Sequence, residues 1–371
     1  LWFATGRGIC QFNGEYFTTF ARQDGLTDDV ILSVTVDRKG RVWFGTFSQG
    51  AICYDGEQFL AFDVSHGLAD NQVRDIFEDD SGCLWFATRN GVSCYDGRFF
   101  KNYGEEIGFG ATDILCIAQD KQGMMWFGSG GLHGGMGGRG VTRFDPSASI
   151  DQAFRFFTVE HGLLSDKILA IVEDKKGDLI FATANGVCRY LPQAEFGWYF
   201  ERIVGQNELG YDIVQDVLED RDGNMWYASG AILHSRGANG VIRYNGKRYT
   251  AFTTEDGLAD NDVLDVFEDR EGYLWFGTWR GGVSRYDGNR FTTFTKEDGL
   301  ADDDVRAILE DKQGHMWFAT GNGVSRYDGK TFHNFTMADG LVDDQIMSLL
   351  EDKAGNLWFG AGTLIGGGAM V

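Results

Sequence analysis

A Trp-Phe pair that recurs along the chain is the feature that most constrains its fold. The pair, or a close replacement, begins at nine positions that lie 41 to 54 residues apart: Trp2, Trp43, Trp85, Trp126, Ile180, Trp226, Trp275, Trp317 and Trp358. The surrounding pattern is clearest from Val263 to Asp303. A repeat of this length is one supersecondary unit, which needs similar neighbours to bury its apolar faces. The chain is therefore an array of similar units.

Each unit predicts four short antiparallel strands joined by tight turns. The first strand, such as Val263 to Glu268, is apolar and β-branched, and an Asp-x-x-Gly turn follows it. The second and third strands read L-W-F-G-T and V-S-R-Y, and the third joins the fourth through pairs such as Asp287-Gly288. Asp-Gly between alternating apolar residues is a strong hairpin signal. No segment has a 3.6-residue period, so we expect almost no helix.

Radial stacking of such sheets predicts an all-β fold, a β-propeller of four-stranded antiparallel blades. The large aromatic residues of the second strands are expected to fill the wedge between successive sheets. Counting first strands predicts eight blades, with the surplus amino-terminal strands completing the last blade or lying displaced. The alternative is seven blades with overhanging strands. The predicted first strands begin near Ile31, Val73, Ile114, Ile168, Val214, Val263, Val305 and Ile346.

The repeats predict one domain over residues 1–371, made of about eight units of 41 to 54 residues. The sequence opens on a second strand and ends as a third strand begins, so we expect it to be a fragment of a longer chain.

Composition narrows the classes of partner. The 33 basic and 55 acidic residues give a net charge of −22, which disfavours binding to nucleic acid or to an anionic membrane surface. No apolar run is long enough for a membrane span, so we expect no membrane insertion by this segment. The six cysteines form no C-x-x-C pair and have no histidine close by in the sequence, so they are interpreted as structural thiols, and no metal site is expected.

The repeat sequence resembles a known family. The segments VLDVFEDREGYLWFGTWRGGV, from Val263, and VRAILEDKQGHMWFATGNGV, from Val305, are similar to the two-component regulator propeller repeat. The resemblance implies a bacterial sensor propeller on the extracytoplasmic, periplasmic side, followed by downstream signalling domains of the same polypeptide. In the best-known group the ligands are oligosaccharides. No signal peptide is visible at the start of the sequence.

Two departures from the family pattern affect these expectations. The fifth unit has Leu179-Ile180-Phe181 in place of the Trp-Phe pair, and an irregular stretch runs from Leu191 to Gly210. The family's propellers commonly have seven blades, so the resemblance leaves the count of eight or seven open.

The loops between second and third strands are the predicted ligand-binding rim. They are expected to share one face with the connections from each fourth strand to the next first strand, and variable loops on a rigid scaffold often bind ligands. Three of these loops are long and rich in glycine. The alternative to a binding role is that they are flexible surface loops. The candidate residues are Phe47, Arg89, Asn90, His133, Arg139, Asn185, His234, Arg236, Trp279, Arg280 and Asn322.

Trp279 is the sharpest single candidate, because the repeat does not demand an aromatic residue at its position. An aromatic side chain at a rim suits stacking against a sugar ring. The alternative is that Trp279 packs against a neighbouring loop. Arg280 and Arg89 are able to donate paired hydrogen bonds to a carboxylate or to sugar hydroxyls, or they are ordinary surface arginines.

A recurring arginine on the third strand is predicted to be structural. Arg285 is an example of this arginine. Its predicted partner is the acidic pair that ends each first strand, which in this unit is Glu268 and Asp269. The acidic pairs themselves repeat in every unit, which argues against a catalytic role, because an active site is normally single.

We therefore expect no catalytic residues and no cofactor. The leading hypothesis is a non-catalytic sensor of a small polar ligand or oligosaccharide. A scaffold for protein interactions is the second hypothesis, and a lyase resembling the propeller lyases is the third.

Overall fold

The computed structural model of the chain describes residues 30–104, 109, 112–130, 139–193, 198–205, 213–230, 240–341, 343–351 and 357–361. It also describes the backbone of three short strands near the amino terminus, Phe3–Thr5, Gly8–Phe12 and Phe17–Phe20.

Seven four-stranded antiparallel sheets, called blades 1 to 7 here, follow one another along the chain. In each blade the strands pair in the order first, second, third, fourth. Blade 1 contains Ile31–Val36, Val42–Thr46, Ala51–Tyr54 and Phe59–Phe62; blade 2 contains Val73–Glu78, Leu84–Thr88, Gly91–Tyr95 and Phe100–Tyr103; blade 3 contains Ile114–Gln119, Met125–Ser129, Val141–Phe144 and Phe154–Phe157; blade 4 contains Ile168–Glu173, Leu179–Thr183, Gly186–Tyr190 and Phe200–Gly205. Blade 5 contains Ile213–Glu219, Met225–Gly230, Val241–Tyr244 and Tyr249–Phe252; blade 6 contains Val263–Glu268, Leu274–Thr278, Val283–Tyr286 and Phe291–Phe294; blade 7 contains Val305–Glu310, Met316–Thr320, Gly323–Tyr327 and Phe332–Phe335.

The two ends of the chain share a further sheet of five strands. Its order is Phe17–Phe20, Gly8–Phe12, Phe3–Thr5, Leu357–Ala361 and Ile346–Glu351. Phe3–Thr5 and Leu357–Ala361 are both second strands of a repeat, and they pair in parallel with Ala4 opposite Gly360. The described residues thus form seven four-stranded blades, which is the alternative prediction and not the first choice of eight, and the surplus amino-terminal strands join the last strands of the chain.

Two compact units divide the chain. One contains blades 1 to 4, and the other contains blades 5 to 7 with the five-stranded sheet.

Helix is nearly absent from the described residues, as predicted. They contain one four-residue α-helix, Ile150–Ala153, and five 3-10 helices, Val64–His66, Val159–His161, Thr254–Asp256, Lys296–Asp298 and Met337–Asp339. Each 3-10 helix connects a fourth strand to the next first strand. In the turn before blade 7, the Thr295 hydroxyl accepts a hydrogen bond from Glu297 N, and Gly299 ends the turn at a φ of 107°.

The second-strand tryptophans fill the space between neighbouring blades. Trp275 of blade 6 stacks on Phe294, with ring centroids 5.8 Å apart, and its centroid lies 5.5 Å from Phe318 of blade 7. The same buried cluster includes Val305 and Ile308 from the first strand of blade 7. Burial of this much aromatic and branched surface between sheets holds one blade against the next, as the repeat pattern predicts.

In six of the seven blades, an Asp-Trp hydrogen bond links the turn after the first strand to the second strand. In blade 6 the Asp269 Oδ1 accepts from Tyr273 N at 2.8 Å, while its Oδ2 accepts from the Trp275 indole N–H at 2.7 Å. Equivalent bonds of 2.7 to 3.0 Å join Asp37 to Trp43, Asp79 to Trp85, Asp120 to Trp126, Asp220 to Trp226 and Asp311 to Trp317. A buried indole N–H needs an acceptor, so the aspartate both caps its turn and holds the tryptophan side chain between the blades.

The predicted partner of the third-strand arginine is wrong. The Arg285 guanidinium carbon lies 4.8 Å from the ring centroid of Tyr273 and 5.6 Å from that of Trp275. The acidic pair has other partners, because Asp269 binds the indole and Glu268 accepts from Arg221 Nε at 2.7 Å. Arg285 therefore packs on aromatic faces as a cation–π contact, which is still a structural role. Arg143, Arg243 and Arg326 lie over the tryptophans of their own blades in the same way.

Candidate functional site

The loops between second and third strands lie beside the start of the first strand of the same blade. Backbone hydrogen bonds of 3.0 Å join Phe47 N to Val30 O in blade 1 and Trp279 N to Asp262 O in blade 6. The Asp-Gly turns lie at the other end of the third strand, because a strand has one loop at each end. The candidate residues on short loops and the fourth-to-first connections thus share one edge of each blade, called the rim below.

Trp279 belongs to a cluster that two neighbouring blades build together. Its indole is partly exposed, and the guanidinium carbon of Arg306 from blade 7 lies 5.8 Å from the centroid of its ring. Arg306 donates to Asp304 Oδ2 from both Nε, at 3.0 Å, and Nη2, at 2.6 Å. Arg280 follows Trp279 and is exposed. These four residues, Trp279, Arg280, Asp304 and Arg306, form what we call the Trp279 cluster.

The ion pair in the Trp279 cluster is largely shielded from water. The side chain of Arg306 is only 8% exposed and that of Asp304 only 16%. Burial raises the pKa of Asp304, and the adjacent Arg306 charge opposes that rise. A guanidinium held in this way cannot rotate freely, so it fixes one neighbour of the indole ring.

The loop that carries Trp279 follows a tight path past the preceding connection. A Cβ atom at Gly281 would lie 2.5 Å from the backbone carbonyl carbon of Ala259, and Gly282 has a φ of 86°. Both positions therefore require glycine. Gly282 N also donates to Asp303 O at 2.8 Å, which ties the end of the loop to the start of blade 7.

Asp304 and Arg306 were missed in the analysis of the sequence. A signal was present, since the second residue of most first strands is apolar, as in Leu32 and Leu264, whereas Arg306 and Arg74 break that pattern. Their importance depends on the approach of two blades. The separation of these residues along the sequence does not show that the two blades come close together.

Arg89 and Asn90 lie on the corresponding loop of blade 2, and both are exposed. The Arg89 carbonyl accepts from Asp113 N of blade 3 at 2.9 Å, so this loop also touches the next blade. Arg74, whose side chain is only 7% exposed, lies 2.5 Å from Asp113 Oδ1 through its Nη2. Burial lowers the pKa of Arg74, and the Asp113 charge opposes that effect.

The remaining candidates lie on separate blades. Phe47 in blade 1 is 39% exposed, and Asn185 in blade 4 and Asn322 in blade 7 are exposed. Asn185 Nδ2 donates to Leu164 O at 3.1 Å, and Arg139 is exposed with its backbone N donating to Ser129 Oγ at 2.6 Å. His133, His234 and Arg236 lie outside the described residues.

Three aspartates on the first strands have raised pKa values and hold neighbouring blades together. Asp75 Oδ2 accepts from Ile117 N of blade 3 at 2.9 Å, and Asp265 Oδ2 accepts from Ile308 N of blade 7. Asp216 forms the same kind of bond to Val266 N at 3.0 Å. Burial is the main cause in each case, and it raises the pKa of Asp75 to about 6. These carboxyl groups bind backbone amides, which is a structural task.

In the described part of the chain, no group of three or more His, Cys, Asp or Glu side chains is arranged to hold a metal ion. Among the same residues no helix has the length and hydropathy needed to cross a bilayer.

The comparison with protein families identifies the repeats. Six segments match the two component regulator propeller: residues 25–48, 67–90, 108–131, 257–280, 299–322 and 340–363. The chain carries two-component regulator propeller repeats. No curated protein matches the chain.

Two of the solved structures with similar folds differ in what they do. One is the extracellular domain of a hybrid two component system from B. thetaiotaomicron, with a TM-score of 0.54 and 22% identity, which covers 96% of this chain and 47% of that one. Another is the virginiamycin B lyase from Staphylococcus aureus, with a TM-score of 0.52 and 16% identity over 77% of this chain and 90% of that one. This chain thus spans about half of the first relative. The predicted all-β propeller fold of four-stranded blades is confirmed.

Proposed function

We propose that this chain is a non-catalytic ligand-sensing propeller, the extracytoplasmic part of a two-component-type signalling protein. The repeat family supports this assignment, and a structure with the same fold is the extracellular domain of a hybrid two component system. Signalling domains of the same polypeptide would receive the signal. The proposed ligand is a small polar molecule, in particular an oligosaccharide.

The observation that carries the binding proposal is the Trp279 cluster. A partly exposed indole on the rim, beside a buried Arg306–Asp304 ion pair, is a rigid platform of the kind on which a sugar ring stacks. The exposed Arg280 next to it would donate hydrogen bonds to sugar hydroxyls or to a sugar carboxylate. Rigidity matters here because less conformational entropy is lost on binding.

Isothermal titration calorimetry against a panel of oligosaccharides tests the proposal. We expect at least one glycan to bind the wild-type chain, and Trp279→Ala to weaken that binding about tenfold or more, as loss of a buried aromatic anchor does. Arg280→Ala is expected to weaken it less, because an exposed charge contributes less. Phe99→Ala is the matched control, since Phe99 is a 75% exposed aromatic residue beside the Asp-Gly turn of blade 2.

Two results would contradict the proposal. Equal affinities for wild type and Trp279→Ala would remove the site, and no binding across the panel would remove the carbohydrate assignment.

A turnover assay with virginiamycin B, with and without a chelator, examines the lyase alternative. Metal-dependent loss of that substrate would show that the chain is an enzyme.

A further inference from the structure

Blade 2 holds two cysteines on one face of neighbouring strands. In the register of its second and third strands, Cys94 lies opposite Trp85, and Cys83 is two residues before Trp85. Side chains two residues apart on a strand point to the same face, so Cys83 is a diagonal neighbour of Cys94. Both cysteines are free and partly exposed, and both pack against the same buried cluster.

In other blades, long side chains at these two positions contact one another. In blade 4 the equivalent residues are Asp178 and Arg189, with Arg189 Nε 3.6 Å from Asp178 Oδ2. In blade 6 they are Tyr273 and Arg285, with the guanidinium carbon 4.8 Å from the ring centroid. Each blade fills this diagonal with its own pair of residues. Blade 2 alone has a cysteine at both positions.

The Cys83 thiol also acts electrostatically on Cys94. Burial raises the pKa of Cys94, and the neighbouring Cys83 thiol adds to that rise. Cys83 follows directly on the exposed turn residues Ser81 and Gly82, and both cysteines are partly exposed. A small reagent in solution is therefore able to reach the pair.

We propose that Cys83 and Cys94 are a redox modification site that forms a reversible disulfide inside blade 2. The oxidant is a low-molecular-weight disulfide. The Cys83 thiolate attacks one of its sulfurs, which breaks the S–S bond, forms a mixed disulfide and releases the first small thiol. Cys94 then loses its proton, attacks the Cys83 sulfur and expels the second small thiol. Two protein thiols are oxidised, and one small disulfide is reduced to two thiols.

The disulfide would clamp a hairpin that reaches the rim. Cys83 precedes the strand Leu84–Thr88, Cys94 lies in the strand Gly91–Tyr95, and the loop between those strands carries Arg89 and Asn90. Oxidation would therefore restrain the two strands that carry this loop relative to one another. This inference does not rest on carbohydrate binding, so it stands or falls separately from the proposed function.

Peptide mapping after equilibration with mixtures of reduced and oxidised glutathione tests the proposal. Free thiols are alkylated and the chain is digested with trypsin without reduction. Cleavage after Arg74, Arg89 and Arg98 places the two cysteines on separate peptides, residues 75–89 and 90–98. We expect a linked pair of these peptides, about 2 Da lighter than their sum, to increase with the oxidised fraction and to disappear on reduction.

Cys53→Ser is the matched control, because Cys53 occupies the position of Cys94 in blade 1 but has Arg41 on its diagonal. The linked pair should persist in Cys53→Ser and be lost in Cys83→Ser and Cys94→Ser.

The wild-type chain alone is able to overturn the proposal. If both cysteines remain fully alkylated across the redox series, or carry only separate glutathione adducts, no disulfide forms between them. A linked pair found only in covalent dimers on a non-reducing gel would also overturn it, because the bond would then join two chains.

Discussion

The second strands of blades 6 and 4 are both buried, but they have different side chains at their second position. Blade 6 places Trp275 there, and its indole N–H donates to Asp269 Oδ2 at 2.7 Å. Blade 4 places Ile180 there, 1% exposed, and Asp174 Oδ1 still accepts from Lys176 N and Asp178 N at 2.9 and 2.8 Å. The turn therefore forms without the indole. The aspartate has two separable tasks, of which only turn capping is common to both blades.

The largest difference in stability between the two blades is expected when Trp275 or Ile180 is replaced by alanine. Trp275→Ala should lower the free energy of unfolding by about 4–5 kcal/mol, because it leaves a large cavity between two blades and removes the indole N–H from Asp269. Ile180→Ala should cost about 2–3 kcal/mol, since fewer buried atoms are lost. Urea unfolding of both variants measures these values. Equal losses would mean that the indole stabilises blade 6 no more than a branched aliphatic side chain would.

Removal of the aspartates sharpens the comparison. Asp269→Ala is expected to cost about 2–4 kcal/mol, because it uncaps the turn and leaves a buried indole N–H without its acceptor. Asp174→Ala should cost only about 1–2 kcal/mol, for the loss of the turn caps alone. Urea midpoints of the two variants provide the test. A larger loss in blade 4 than in blade 6 would refute the assignment of two separable tasks.

The first strands extend the comparison to pH. Blade 4 has Ala170 where blade 2 has Asp75, whose pKa is raised to about 6, mainly by burial. A carboxyl group with a higher pKa in the folded state binds its proton more tightly there, so its contribution to stability is full below about pH 4 and is lost as the pH rises through 6. Stability should therefore fall by about 2–3 kcal/mol more in the wild type than in Asp75→Ser between pH 4 and 7.

Urea unfolding at several pH values measures that difference directly. Asp75→Ser is a conservative choice, since Ser33 occupies the same position in blade 1. Parallel pH profiles for the two proteins would show that Asp75 titrates normally in the folded chain.

Much of the scaffold could be predicted from the sequence, because its signals are local. The predicted starts of the first strands agree with those described, within one residue at Ile213. The Asp287-Gly288 turn joins the third and fourth strands of blade 6, with Asp287 Oδ1 accepting from Arg290 N at 2.9 Å. Local hydrogen bonds and alternation of apolar residues determine these features, and both can be read over a few positions.

The partners of charged side chains could not be predicted in the same way. Arg285 was expected to meet Glu268 and Asp269, but an indole and an arginine of blade 5 already occupy those carboxylates. Trp279 was recognised as unusual, while the Arg306–Asp304 pair beside it was not. Arg221 and the Arg306–Asp304 pair come from a neighbouring blade, and competition among several possible partners is settled only when the blades pack.

The sequence by itself determined the unit: four strands, tight turns, a buried aromatic wedge and a rim where the repeat varies. Tertiary structure alone decided what the units share, namely the parallel pairing of the two end strands, the aspartates that bind amides of the next blade, and the neighbours of Trp279. The physical reason is the separation along the sequence over which each interaction acts. Turn and strand preferences act between residues a few positions apart, whereas contacts between blades depend on shapes and charges brought together from repeats some forty residues apart.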